Sequence, residues 1–129
     1  MLIQGILHPQ LSSLLCRVRH TNALVIADAA FPFWPQIETV DLALVRGVPT
    51  IAQVFEAILP NFSAGAIHMA EEFNSHNNEE TKSIFQKASR NVPMHFEPHI
   101  LFKKRVPEAI GLVRTGDTTA YGNLILVSV

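Results

Sequence analysis

The chain has 129 residues, of which 48% are hydrophobic, and its formal net charge is -1. This length fits a single domain over residues 1–129. The near-neutral charge argues against nucleic acid or an anionic membrane as a partner. No apolar run approaches the roughly 20 residues of a membrane span. Cys16 is the single cysteine, so we expect a reduced, cytoplasmic protein without an internal disulfide. The low charged fraction of 16% indicates that some surface is buried in an oligomer.

The first predicted elements are an extended lead-in, a helix and a buried strand. Residues 3–7 are a short apolar run, which predicts a strand or an extended segment. Pro9 suits the first turn of a helix, because its missing N–H costs nothing there. Cys16 lies in the apolar pattern of this helix, and we expect it in the core. The apolar face of the helix comprises Leu11, Leu14, Leu15 and Val18. After a polar turn at residues 20–22, the apolar run 23–27 is typical of a buried strand.

An aromatic loop, a second strand and a second helix follow. Two prolines make residues 31–35 neither helix nor central strand. Because two Phe and one Trp are costly to expose, we expect this loop to cover a pocket or pack into a partner subunit. The alternative is that it folds onto its own core. Residues 40–45 predict a strand, and residues 51–59 predict an amphipathic helix with Thr50 as its N-cap.

The second half of the chain continues the alternation of strands and helices. Strands are predicted at residues 64–70, 94–97, 109–113 and 122–129, and helices at 79–90 and 98–105. Residues 71–78 predict a polar connection, and the helix that follows has only Ile84, Phe85 and Ala88 to bury. This alternation predicts an α/β fold of three layers, with a largely parallel central sheet covered by helices.

Two polar residues flank the first buried strand. In open α/β sheets, ligands bind just beyond the carboxyl ends of strands, which is where Asp28 follows residues 23–27. His20 lies at the other end of the same run. A strand rises roughly 3.3 Å per residue, so the two side chains cannot meet across a small ligand if residues 21–28 are all strand. The sequence therefore predicts either a bend near Asn22 or a site between two copies of the chain.

Four further polar residues have spacings that suit a binding site. His99 and Lys103 share one face of the short helix after Pro98, and Tyr121 and Asn123 are two apart, so they can point the same way. With the two residues that flank the first strand, they supply uncharged donors, one carboxylate and one ammonium. This mixture suits a neutral polyhydroxylated ligand such as a sugar. The alternative is that each residue caps or turns its own element.

Several kinds of cofactor site have no sequence signature in this chain. The six glycines form no phosphate-binding loop, so we expect no nucleotide cofactor. Neither paired cysteines nor an H-x-x-x-H helix indicates zinc. We interpret three histidines without a companion at ligand spacing as structural or surface residues: His68, His76 and His95.

The order and spacing of several short motifs resemble the ribose pyranase / fucose mutarotase family. The motifs are His20-Thr21, Ile26-Ala27-Asp28-Ala29, Val40-Asp41-Leu42-Ala43-Leu44, Gly47-Val48-Pro49, Ala70-Glu71-Glu72, His76-Asn77 and Arg114-Thr115-Gly116-Asp117-Thr118-Thr119-Ala120-Tyr121-Gly122-Asn123. The resemblance implies an α/β fold assembled into ring-like homo-oligomers, commonly two stacked pentamers, with active sites at subunit interfaces. It also implies interconversion of the cyclic forms of a free monosaccharide without a metal or an organic cofactor.

The resemblance also assigns roles to particular residues. It implies that His20 is the catalytic acid/base. The implied sugar-binding residues are Asp28, His99, Lys103, Tyr121, Gly122 and Asn123. The expected reaction is general acid/base ring opening, with D-ribose (β-pyranose to furanose) as the main expectation. An L-fucose mutarotase, a non-catalytic monosaccharide-binding protein and a ring protein with a vestigial pocket are the alternatives.

The motifs divide between the two branches of this family. His99 and Lys103 favour the ribose branch, whereas residues 28–32 and 121–126 favour the fucose branch. Arg19 departs from both, since a glycine usually precedes the histidine, and it would be strained there if that position required a positive φ. Trp34 also departs, and we expect it to narrow the pocket.

Overall fold

The computed structural model describes residues 1–129 and contains one six-stranded sheet. Its strands are β1 (Ala23–Ala27), β2 (Glu38–Asp41), β3 (Ala64–Ala70), β4 (Met94–Glu97), β5 (Gly111–Arg114) and β6 (Leu124–Ser128). Their order across the sheet is β2-β5-β1-β6-β3-β4. Only β6 is antiparallel to its neighbours, β1 and β3, so five strands run in one direction. The prediction of a largely parallel sheet is confirmed, and the antiparallel β6 is an addition to it.

Five α-helices connect or flank these strands. They are α1 (Pro9–Arg17), α2 (Ile51–Ile58), α3 (Glu72–His76), α4 (Glu79–Ala88) and α5 (His99–Arg105). The predicted starts hold where the sequence carries a cap: Pro9 is the first residue of α1, and the Thr50 hydroxyl accepts a hydrogen bond from the Gln53 N–H at α2. None of the helices combines the length and the apolar character needed to cross a membrane.

The sheet is covered on both faces, which gives the predicted three layers. Successive residues of a strand point to opposite faces. Leu24 and Ile26 of β1 accordingly join a core with side chains of α1, α2 and α4. Val25 and Ala27 join a second core, with α5 and the loop that follows β1, where Phe31 and Phe102 meet edge to face at 6.4 Å between ring centroids.

Several local predictions are wrong, mainly about which side chains are buried. Cys16 is exposed, because it lies about 200° around α1 from buried Leu14. Ile84 is 49% exposed, since α4 turns Phe85 and not its neighbour towards the sheet. Residues 3–7 form no strand, so of the two predicted alternatives only an extended lead-in remains. The predicted polar connection at residues 71–78 contains α3.

The remaining strand boundaries differ by a few residues from those predicted. The second strand is β2 (Glu38–Asp41) and not residues 40–45, because Leu44 and Val45 leave the sheet and lie exposed. The last two strands begin at Gly111 and Leu124, later than predicted, so residues 109–110 and 122–123 belong to the turns that precede them.

The turn before β1 does not require a positive φ at Arg19, so the condition under which Arg19 would be strained is not met. The positive φ belongs to Thr21, at 69°, and Arg19 is not among the residues with positive φ. The Arg19 N–H donates to Asn22 Oδ1 at 2.8 Å, and Thr21 N–H donates to the Ser128 carbonyl at 3.0 Å. These bonds fix the His20 turn at the amino end of β1.

Candidate functional site

The segment after β5 ties the carboxyl ends of two neighbouring strands together. Thr115 donates both its backbone N–H and its hydroxyl to the Ala27 carbonyl, each at 2.9 Å. The buried Asp117 carboxylate accepts the Ile51 N–H at the start of α2 at 2.8 Å. At Gly116, a Cβ atom would lie 2.4 Å from the Val48 carbonyl oxygen, so only glycine fits. This packing makes a rigid floor where β1 and β5 end.

Asp28 and Asn123 form a reciprocal pair on this floor, although 95 residues separate them. The Asp28 N–H donates to Asn123 Oδ1 at 2.7 Å, and Asn123 Nδ2 donates to Asp28 Oδ2 at 3.2 Å. The Ala30 N–H donates to the other carboxylate oxygen at 3.0 Å. Because a carboxylate has about four acceptor positions, these two bonds hold Asp28 in one orientation and leave it able to accept from a ligand.

His99 enters the same region from the first turn of α5. Its backbone N–H donates to both carboxylate oxygens of Glu72, at 3.0 and 3.1 Å. Its ring stacks on Phe102 at 6.0 Å between centroids and meets Tyr121 edge to face at 5.1 Å. The His99 Nδ1 is buried and has no hydrogen-bond partner in the chain. Backbone capping and ring packing therefore orient this imidazole.

Tyr121 lies in the turn before β6 with a left-handed backbone, at φ 54°. This conformation is uncommon for a non-glycine residue and is characteristic of functional sites. Gly122 is buried just behind it, where a Cβ would come within 3.2 Å of the Thr119 Cβ and 3.3 Å of Phe85 Cζ. Gly122 therefore lets the turn pack closely, and it does not line the surface that a ligand would contact.

These groups surround a cavity of about 200 Å³ at the carboxyl end of β1. Its lining residues are Asp28, Ala30, Phe31, Pro32, His99, Tyr121 and Asn123. The structure thus brings four of the predicted site residues together. Four other cavities are larger, at about 390, 400, 340 and 230 Å³, but none combines a carboxylate with a tyrosine and none is lined by a predicted site residue. We therefore assign the candidate site to the smaller cavity.

Besides Gly122, two of the predicted site residues lie outside this cavity. His20 is exposed in the turn before β1, and Asp28 follows β1. A strand of five residues spans about 17 Å, so the two residues lie at opposite ends of this strand. The chain does bend near Asn22, but this bend does not bring His20 to the cavity. Lys103 is half-buried one turn beyond His99 on α5 and is not a lining residue.

The aromatic loop contributes to the cavity and to the core, but not as a whole. Phe31 and Pro32 line the cavity, and Phe31 is also buried against Phe102. Phe33 is 70% exposed. Trp34 packs partly against the core and does not line the cavity, so the expectation that it narrows the pocket is not met in the single chain.

Two residues that the sequence analysis did not single out hold the site together. The Arg114 guanidinium donates to the Phe31 carbonyl and lies 3.4 Å from the carbonyl oxygens of Asp28 and Ala29. These contacts fix the loop that follows β1. Glu72 caps α5 through its carboxylate. Neither residue has a spacing in the sequence that points to a site. Arg114 is the first residue of motif 114–123 and Glu72 the last residue of motif 70–72 in the family resemblance. No group of three His, Cys, Asp or Glu side chains is placed to hold a metal ion.

Comparison with known proteins finds relatives of one kind among both curated sequences and solved structures. Curated proteins named D-ribose pyranase, from Geobacillus kaustophilus and Thermotoga petrophila, are each 37% identical to this chain; both matches cover 96% of it, and they cover 90% and 94% of the relatives. The structure of Bacillus subtilis RbsD complexed with D-ribose matches with a TM-score of 0.90 at 27% identity, covering 99% of this chain and 97% of that one.

A second solved structure shares the fold at lower identity. The fucose mutarotase from Streptococcus pneumoniae in complex with L-fucose matches with a TM-score of 0.79 at 20% identity, over 94% of this chain and 91% of the other. A family model described as the RbsD / FucU transport protein family matches residues 1–129. Because this match covers the whole chain and curated relatives share more than a third of its residues, the chain belongs to the RbsD / FucU family.

Proposed function

We propose that this protein is a D-ribose pyranase that interconverts the β-pyranose and furanose forms of free D-ribose. The observation that carries the proposal is the cavity at the carboxyl end of β1, which combines one oriented carboxylate, an imidazole, a phenol and an amide. These groups suit the hydroxyls of a neutral sugar, and no cation lines the cavity as a phosphate would require. The D-ribose pyranases among its relatives and the D-ribose complex of RbsD support the same choice of substrate.

The reaction needs two proton movements and no cofactor. One proton leaves the anomeric hydroxyl and one reaches the ring oxygen, so the ring C–O bond breaks and the open aldehyde forms. Closure through a different hydroxyl then gives the other ring. In our proposal His20 moves these protons, because an imidazole has one nitrogen that can donate a proton and one that can accept it. Asp28 orients the sugar hydroxyls, and His99, Tyr121 and Asn123 bind them.

We further propose that the working site lies between two copies of the chain in a ring-like homo-oligomer, as a decamer of two stacked pentamers. The wide separation of His20 from the cavity supports this, because the His20 end of one copy can complete the cavity of the next. Phe33 and Ile100, each 70% exposed, belong to the loop and helix beside the cavity and would be covered by such a neighbour.

Further assignments complete the proposal, and the first of them depends on this assembly. Lys103 lies near the cavity on the face of α5 that carries His99. We propose that Lys103 binds a hydroxyl of the sugar once a neighbouring copy completes the site. Gly122 supports the sugar-binding turn from behind. We propose that residues 1–129 act as one domain and that the protein is cytoplasmic, where its exposed Cys16 thiol would stay reduced.

The test is exchange between ribose forms, measured by NMR saturation transfer on the wild type and on His20→Ala. General acid–base catalysis is typically worth about 10²–10⁴ in rate. We expect the variant to lose exchange by about this factor while it still binds ribose. His95→Ala is a matched control, because it removes an exposed histidine from the edge strand β4. Full exchange in His20→Ala would refute the catalytic assignment.

An L-fucose mutarotase is the second candidate, and the apolar side of the cavity favours it. Phe31 and Pro32 line that side, where they would suit the methyl group that L-fucose carries and D-ribose lacks. A panel of ribose, fucose and galactose in the same exchange experiment separates the two substrates. Sugar binding without exchange of any panel member would identify a non-catalytic monosaccharide-binding protein instead.

A further inference from the structure

The short helix α3 and the residue that follows it contact both segments that line the cavity. Glu72 caps the amino end of α5 through the His99 N–H. Asn77 donates from Nδ2 to the Phe73 and Ala120 carbonyls, each at 2.8 Å, so it joins α3 to the turn that precedes β6. One five-residue helix with its C-cap is therefore bonded to the two elements that present His99 and Tyr121.

Tyr121 needs such support because its backbone is in the left-handed region, at φ 54°. This conformation costs a non-glycine residue roughly 1–2 kcal/mol, so it persists only where neighbouring contacts hold it. The Gly122 N–H bond to the Thr119 carbonyl, at 3.2 Å, closes the turn on one side. The bond from Asn77 to the Ala120 carbonyl holds the other. These bonds fix the backbone but not the phenol ring.

The ring of Tyr121 contacts that of His76, a histidine that its sequence spacing assigned to a structural or surface role. The His76 and Tyr121 ring centroids are 4.9 Å apart with 55° between the ring planes. His76 Nδ1 lies 2.9 Å from the Glu72 carbonyl oxygen and 3.1 Å from Ser75 Oγ. Because a carbonyl only accepts, the first contact is a hydrogen bond in the tautomer with the proton on Nδ1. The Tyr121 ring also meets the His99 ring edge to face, at 5.1 Å between centroids. The phenol ring therefore contacts two imidazoles: Glu72 contacts the ring of one, His76, and the backbone of the other, His99.

We propose that His76 is a positioning residue that sets the orientation of the Tyr121 phenol and thereby the affinity of the site for its sugar. This inference rests on the proposed function, in which Tyr121 binds a sugar hydroxyl. His76 itself does not line the cavity. It acts through the ring of Tyr121, so its loss weakens substrate binding while the proton-transfer groups stay in place.

The kinetic test compares His76→Ala with His76→Phe, and uses His95→Ala as the matched control for losing an exposed histidine. An aromatic pair contributes an amount equivalent to about a two- to tenfold change in affinity. We expect His76→Ala to raise KM by about this factor with kcat and Tm close to wild type, and His76→Phe to restore KM. A KM unchanged from wild type in His76→Ala would overturn the proposal.

A spectroscopic readout keeps this inference separable from the proposed function. Tyr121 is the only tyrosine of the chain, so protein labelled with 3-fluorotyrosine gives one ¹⁹F resonance that reports on its ring. We expect His76→Ala to shift this resonance and His95→Ala to leave it at the wild-type position. If wild-type protein exchanges no sugar, the proposed function fails, but the ¹⁹F shift still tests the contact between His76 and the Tyr121 ring on which this role depends. An unshifted resonance in His76→Ala would overturn that role even if the enzyme is active.

Discussion

Replacement of Asn123 by alanine tests whether the Asp28 pair builds the site. Asn123 is 5% exposed, and its side chain makes the reciprocal bonds to the Asp28 N–H and carboxylate. Removing Oδ1 leaves the Asp28 N–H without its acceptor at 2.7 Å, a loss of about 1–3 kcal/mol for a buried donor. The longer bond to the half-buried carboxylate adds less, because water can replace it. We expect Asn123→Ala to lower the free energy of unfolding by about 2–3 kcal/mol.

Thermal unfolding and sugar titration together measure this effect. For a chain of this size, about 2–3 kcal/mol corresponds to a fall in Tm of roughly 10 °C. Because Asp28 also loses its orientation, the affinity for ribose should fall more than in Asn74→Ala, which removes an exposed amide without side-chain hydrogen bonds and should change stability by at most about 0.5 kcal/mol. A Tm within experimental error of wild type, with unchanged ribose affinity, would refute the argument that this pair organises the cavity.

Two further predictions concern Gly116 in the floor of the site and His68 in β3. Gly116→Ala places a Cβ 2.4 Å from the Val48 carbonyl oxygen. We therefore expect the free energy of unfolding, measured in urea, to fall by about 2–4 kcal/mol. An unchanged urea midpoint would contradict this packing. Burial, followed by the nearby Arg105 guanidinium, holds the pKa of His68 below its ordinary value of 6.5. The unfolded chain then binds this proton more readily, so stability falls as the pH drops from 6.5 towards the depressed pKa. His68→Gln should flatten this fall in urea titrations, and an identical pH dependence would show that His68 is not its source.

Strands with strong patterns were predictable from sequence alone. Residues 23–27, 64–70 and 94–97 match β1, β3 and β4 because each is a short apolar or alternating run bounded by turn residues. The antiparallel direction of β6 was not predictable, since a strand buried on both faces reads the same in either direction. The helix α3 was missed because its five residues bury only Phe73 and carry no helical period.

The candidate site was predictable in its parts but not in its assembly. Asp28 was expected from its place after a buried strand, and His99, Tyr121 and Asn123 from their spacing. Their common cavity depends on hydrogen bonds between segments as many as 95 residues apart, which no local pattern encodes. The part played by His76 depends on a ring contact with Tyr121 across a turn. In our proposal the role of His20 depends on a second copy of the chain, and contacts between copies leave no local pattern in a single sequence.

Subunit complementation tests the claim that two copies build one site. His20→Ala and Asp28→Ala should each be inactive alone in the ribose exchange assay. When the two variants are dissociated, mixed in equal amounts and reassembled, an interface between unlike copies can pair the intact His20 of one with the intact Asp28 of the other. Random mixing makes about a quarter of the interfaces of this kind, so we predict recovery of about a quarter of wild-type exchange. A reassembled mixture as inactive as its two parents would contradict a site shared between copies.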